Sequence, residues 1–183
     1  WCVALPSFDL GRTWVAHQFD FQPCYDPWVA ILDDGTAIFV GLETTNEGAV
    51  THLWLFRSAD GGRTWSTTPH SFGRGHDHPT LIVDRSGGRF HGALYVASVR
   101  VSRDEQGRQR TKQFVARSMD GGKTFSQVTE HETTNLTSTT LTAVVLSNGA
   151  LVLPVHTFHR YVDDNQTTPL QRRPMWAIRS EDG

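Results

Sequence analysis

Ser58-Ala59-Asp60-Gly61-Gly62-Arg63-Thr64-Trp65 is an octapeptide that the chain repeats. Ser118-Met119-Asp120-Gly121-Gly122-Lys123-Thr124-Phe125 is a second copy, and Ser7-Phe8-Asp9-Leu10-Gly11-Arg12-Thr13-Trp14 is an earlier one. A fourth begins at Ser180-Glu181-Asp182-Gly183. The shared pattern is Ser-x-Asp-x-Gly-x-Thr-aromatic. Five fixed positions at a background of roughly 0.05 each match by chance on the order of once in a million starts. Three full copies therefore mark a structural repeat. Each lies between apolar runs and reads as a hairpin loop. The aspartate accepts backbone N–H bonds from residues further on, and the serine does so more weakly. Gly11, Gly62 and Gly122 are expected to supply a positive φ. Trp14, Trp65 and Phe125 are expected to point inward and bury a large area. Ser7, Asp9, Ser58, Asp60, Ser118 and Asp120 are thus assigned to building the turn, not to chemistry.

The repeated aspartates fall at positions 9, 60, 120 and 182, in steps of 51, 60 and 62 residues. Apolar runs between them repeat with the same period. Asp26 to Leu32, His78 to Asp84 and Thr139 to Leu146 each lead into a short turn, and Ala37 to Leu42, Ala93 to Val99 and Ala150 to Val155 follow. Third strands are read at Thr51 to Arg57, Lys112 to Arg117 and Met175 to Arg179. Each unit is then four strands, with the octapeptide joining the third to the fourth. The first is expected to be apolar on both faces. Four-stranded antiparallel units repeated around an axis are the β-propeller architecture. The chain is read as one all-β domain, 1–183, holding about three blades. It contains two whole blades, two strands before them and three after.

The octapeptide resembles the Asp-box, or BNR repeat, of the sialidase-like β-propellers. The resemblance covers the whole chain through its period. It implies a ring of six blades, of which this sequence is an internal fragment, inactive when isolated. It also implies a glycoside hydrolase, an exo-α-sialidase acting on terminal sialic acid or a related sugar, with a glycan or glycoconjugate as partner. Members hold the sugar carboxylate with arginines and use a tyrosine nucleophile assisted by a glutamate. The family's Arg-Ile-Pro element is absent before the first box. Asp-boxes also occur in propellers without activity, so the alternative is a non-catalytic ring that binds a glycan or protein. Secretion or a cell-envelope location follows from the resemblance only.

Strand direction alternates, so the octapeptides and the short turns share one face of the ring. The long polar loops share the other, where function concentrates on a rigid scaffold. At their inner ends stand Asp26 and Glu43 as candidate catalytic carboxylates, and Arg100, Asp77, His78 and His156 as candidate substrate-binding groups. Arg100 is the best-placed partner for a sugar carboxylate, because its planar fork binds carboxylates bidentately. His76-Asp77-His78 places two histidines on one face of an extended chain. No third ligand is specified by spacing, so no metal is assigned, and no cofactor. Arg172-Arg173 could bind an anion or lie as exposed loop residues.

The formal net charge of −2 gives no general attraction for nucleic acid. No stretch reaches the apolar length of a membrane helix. Cys2 and Cys24 flank the first octapeptide and could pair or stay reduced.

Overall fold

The computed structural model describes residues 1–21, 23–44, 51–107, 109–132, 136–161, 167–169 and 174–180. Every element is a strand: β1 (Val3–Ala4), β2 (His17–Gln18), β3 (Cys24–Ile31), β4 (Ala37–Thr44), β5 (Thr51–Ser58), β6 (His70–Arg74), β7 (His76–Val83), β8 (Leu94–Arg103), β9 (Gln109–Ser118), β10 (Ser126–Glu132), β11 (Leu136–Thr140), β12 (Val144–Val145), β13 (Leu151–Tyr161), β14 (Thr167–Pro169) and β15 (Met175–Arg179). Two four-stranded antiparallel sheets run in the orders β3-β4-β5-β6 and β7-β8-β9-β10. A small β1-β2 sheet precedes them, and a sheet centred on β13 follows. This is a partial propeller: two complete blades between incomplete ones.

The octapeptides are the turns expected of them. In the Asp60 copy the backbone N–H and hydroxyl of Thr64 donate to the two carboxylate oxygens at 2.9 and 2.6 Å. The Ser58 hydroxyl donates to Asp60 at 2.7 Å and accepts from Gly62 N–H at 2.7 Å. Asp120 and Asp9 repeat the pattern with Thr124 and Thr13. These bonds, the threonine hydroxyl first, hold the Asp60 and Asp120 carboxyls far below the usual range and Asp9 down to about 2. Loss of the acceptor strands turn donors at both ends of the loop. Asp60→Ala and Asp120→Ala should each lower the melting temperature by about 5 °C. An unchanged melting temperature would remove the boxes from the structural account.

Gly11, Gly62 and Gly122 have φ of +83°, +97° and +83°. The first box differs from the others one position earlier, where Leu10 takes φ +62° in place of Gly61 and Gly121. Leu10 is 98% exposed, so its side chain offsets none of that backbone cost. Leu10→Gly is expected to stabilise the protein by roughly 1 kcal/mol, read as a rise in urea midpoint.

Two expectations need correction. Trp65 packs edge-on against Phe19, and Phe125 against Phe72, both from the segment preceding their own blade. Trp14 was expected to bury in the same way, yet it is 61% exposed. The aromatic seat that the preceding segment provides for Trp65 and Phe125 has no counterpart ahead of the first box among the described residues. The inner strand β3 is likewise not buried on both faces: Val29 and Ile31 stay exposed, whereas β7 is buried at five of its eight positions, including Thr80 to Ile82. β7 packs between the first complete blade and the sheet centred on β13. β3 has only the short β1-β2 sheet on one side.

Three cores lie between successive sheets. Leu42, Leu53, Leu55, Leu81 and Leu94 fill the seam of the two complete blades. Tyr95, Val115, Leu151 and Leu153 fill the next seam. Phe19, Phe21, Phe39, Phe56 and Cys2 fill the one before. Cys2 and Cys24 are disulfide-bonded across that last core. Two arginines tie the complete blades together on the octapeptide face. Arg57 donates to the Gly121 carbonyl at 2.9 Å, and Arg85 to the Ile31 carbonyl at 2.7 Å. Glu181, Asp182 and Gly183 of the fourth octapeptide, and Arg172-Arg173, lie outside the described residues.

Candidate functional site

The inner strands carry an irregularity that the flat reading of the sequence missed. Tyr25 pairs with Leu42 and Trp28 with Val40, so Asp26-Pro27 is extra against one residue of β4. Asp77 pairs with Val99 and Thr80 with Ala97, so His78-Pro79 is extra in the same way. Both are β-bulges, which re-aim side chains. Proline cannot donate to a ladder, and here it falls where the ladder is already interrupted. Asp26 and His78 adopt φ of +47° and +49°, a region uncommon for residues with a Cβ. The third incomplete blade breaks at the same level: Thr140 pairs with Val155, Leu141 N–H donates to the Pro154 carbonyl, and pairing resumes at Val144. By register, Asp26, His78 and Leu141 are equivalent positions of three successive blades.

These positions meet. Asp26, Pro27, Trp28, His78, Pro79, Thr80, Thr140, Leu141 and Thr142 line one cavity of about 310 Å³. The His78 Nδ1 lies 3.8 Å from an Asp26 oxygen, and its Nε2 lies 3.9 Å from an Asp77 oxygen. All three side chains are about half exposed. The Thr140 hydroxyl donates to the His78 carbonyl at 3.1 Å, which holds the third blade against the second at the rim. One donor atom of each of Asp26, Asp77 and His78 lies within 4.8 Å of the others, close enough to share a ligand.

The other candidates do not join them. Arg100 faces away: its guanidinium donates to Glu130 at 2.9 Å, and Lys112 sits 3.6 Å from the same carboxylate. Burial raises the Glu130 carboxyl, but the hydrogen bond and charge of Arg100, with Lys112, outweigh it and leave the group lowered. Glu43 pairs across the strand with Cys24 and accepts a 2.7 Å bond from the Trp54 indole N–H. It lines a separate cavity with Asp20, Phe21 and Phe56 on the outer face of the first complete blade. His156 sits between Thr139 and Met175 in the third blade and does not line the first cavity. His76 and His78 do not share a face, because the bulge and the left-handed turn at His78 separate them. His76 is fully buried and bonds Ser98 Oγ at 2.8 Å, while His78 faces the cavity.

The site and the octapeptides occupy opposite ends of the strands. Cys24 pairs with Glu43 at the loop end of β3, while Ile31 and Ala37 pair at the turn end, beside Ser58. Trp28, Thr140 and Thr142 were not singled out from the sequence. The usable signal was the period itself: the residues at and just after each inner-strand bulge fall at matching places in the three repeats.

The chain matches a protein-family description, the BNR repeat-like domain, over residues 3–183. No curated protein matches it. Among solved structures it is similar to a protein of unknown function from Dyadobacter fermentans, at 18% identity and a TM-score of 0.60, covering 89% of this chain and 55% of that one. It is also similar to an α-L-arabinofuranosidase from Fusarium graminearum in complex with an iminosugar inhibitor. That match has 17% identity and a TM-score of 0.48, and covers 75% of this chain and 42% of the other. The same enzyme with arabinobiose gives 18% identity and a TM-score of 0.47. The chain thus spans about half the length of the structures it matches. With the family description covering almost all of its residues, the chain belongs to the BNR repeat-like domain family.

Proposed function

We propose that this chain is part of a glycosidase-like propeller whose loop-face cavity takes the terminal sugar of a glycan. The observation that carries the reading is the convergence of Asp26 and His78, from two blades, on one cavity with Trp28 in its wall, with Asp77 3.9 Å behind the His78 ring. Glycosidases need paired groups that exchange protons with the glycosidic oxygen and stabilise an oxocarbenium-like centre. Two carboxylates flanking an imidazole supply such groups. Trp28 and the two prolines offer apolar surface for the C–H face of a sugar ring, and the threonine hydroxyls fix orientation. The oxygen atoms of Asp26 and Asp77 come within 4.8 Å, nearer the roughly 5–5.5 Å of retaining enzymes than the wider inverting spacing. The activity is assigned to the complete ring, because catalytic groups gain only when they converge on one sugar.

The sialidase form of this reading needs cations for the sugar carboxylate, and its candidate here was Arg100. That guanidinium is engaged by Glu130. The test is release of 4-methylumbelliferone from a panel of glycosides by the complete protein, with Asp26→Asn and Asp77→Asn beside it. Turnover that falls at least a hundredfold in both variants is the expected outcome. Glycan binding without any turnover would establish the non-catalytic alternative. Undiminished turnover in both variants would remove the site.

A further inference from the structure

We infer that the sugar taken at this cavity is neutral, without a carboxylate of its own. The inference rests on the glycan reading above and names the substrate class within it. Its basis is the charge and hydrogen-bonding character of the rim. Asp26 and Asp77 stand on either side of His78, and among the described residues no lysine or arginine lines the cavity. Among the described residues the nearest cations by register, Arg100 and Lys112, both reach the Glu130 carboxylate. They also sit on the face of β8 and β9 that carries Ser98 and Phe114, against the seam with the preceding blade. They are thus spent on each other's partner and turned from the cavity.

A carboxylate accepts hydrogen bonds and donates none when ionised. Sugar hydroxyls donate, so two aspartates suit a neutral polyol directly. An acidic sugar would bring a third carboxylate beside Asp26 in the wall and Asp77 next to His78, where like charges repel. The remaining wall repeats the preference. Trp28, Pro27, Pro79 and Leu141 are apolar, and Thr80, Thr140 and Thr142 are uncharged.

The experiment is saturation-transfer NMR on the complete protein, with dissociation constants from titration. The probes are methyl glycosides of glucose, galactose, fucose and arabinose, set against those of glucuronic and N-acetylneuraminic acid. At least one neutral glycoside should bind, with both acidic ones at least tenfold weaker at low salt. The gap should narrow at 0.5 M salt, where exposed charges are screened. Asp77→Asn should narrow it too, by removing one repelling charge. Asp26→Asn is a second variant that keeps the fold, since asparagine tolerates the left-handed turn at that position. An acidic glycoside that binds more tightly than every neutral one would overturn the inference while keeping the glycan site. Loss of that binding in Arg100→Gln would identify the group responsible. If none of the six binds, the glycan reading itself falls, and the inference with it.

Discussion

Taking the protein from pH 7 to pH 4 should cost about 3 kcal/mol of stability through one side chain, His76. Its ring is fully buried between Ser98 and Phe72 and lies edge-on to Phe114. The Phe72 carbonyl can only accept, so Nε2 carries the proton and Nδ1 accepts from the Ser98 hydroxyl. Burial, the largest cause, pushes the ring down from its ordinary 6.5 to about 4, and the nearby Arg100 charge adds to it. The unfolded chain takes up a proton near pH 6.5, and the folded chain resists until about 4. Stability therefore stands in full above pH 6.5 and is lost as the pH falls through that window. Burial also lowers His70 and His52, which act with the same sign. The octapeptide aspartates act in a lower window. Their folded values are depressed, so their contribution holds above the ordinary carboxylate range and is lost below it. Urea midpoints across pH 7 to 4 read the first window, and His76→Gln should flatten most of it. An equal slope in parent and variant would take His76 out of the account.

Gly75→Val should cost about 4 kcal/mol or more. Gly75 is the single residue between β6 and β7, where the chain passes from one complete blade to the next. Its N–H donates to the Thr51 carbonyl at 2.7 Å in the first blade, and its carbonyl accepts from Val101 N–H at 2.6 Å in the second. It holds φ +83°, and a Cβ placed there would stand 2.5 Å from the Val101 carbonyl oxygen. That oxygen is backbone and cannot swing aside, so the strand junction itself must shift. Gly73 provides the internal control. Its φ is +91°, but nothing lies within 4 Å of the site of its Cβ. Gly73→Ala should then cost only about 1 kcal/mol, the left-handed term alone. Equal losses at the two positions would mean that the junction is not crowded.

The sequence carried the repeat, the four-strand unit and the turn chemistry. Each depends on local residues: a carboxylate two places after a serine, a glycine with φ above zero, and alternating apolar runs. What it did not carry were features decided by neighbours. Trp14 closes the same motif as Trp65, but among the described residues it has no aromatic seat beside it, and it stays exposed. Arg100 stands at a loop end as expected, yet Glu130 from two strands away claims it. Glu43 is taken in the same manner by Trp54. Asp26 and His78 were legible as inner-rim residues, but their meeting depends on two bulges. A Pro after each hinted at an interruption without giving its direction.

The account separates residues that build the ring from residues that use it, and one paired measurement tests that separation. Asp60→Ala and Asp26→Asn are compared for melting temperature and for binding of the tightest neutral glycoside. Asp60→Ala should melt about 5 °C lower and bind as the parent does below its transition. Asp26→Asn should keep the parent melting temperature within about 2 °C and lose at least tenfold in affinity, because asparagine holds the same turn without the charge. Lost binding in Asp60→Ala at an unchanged melting temperature, with full binding in Asp26→Asn, would contradict the account by exchanging the two roles.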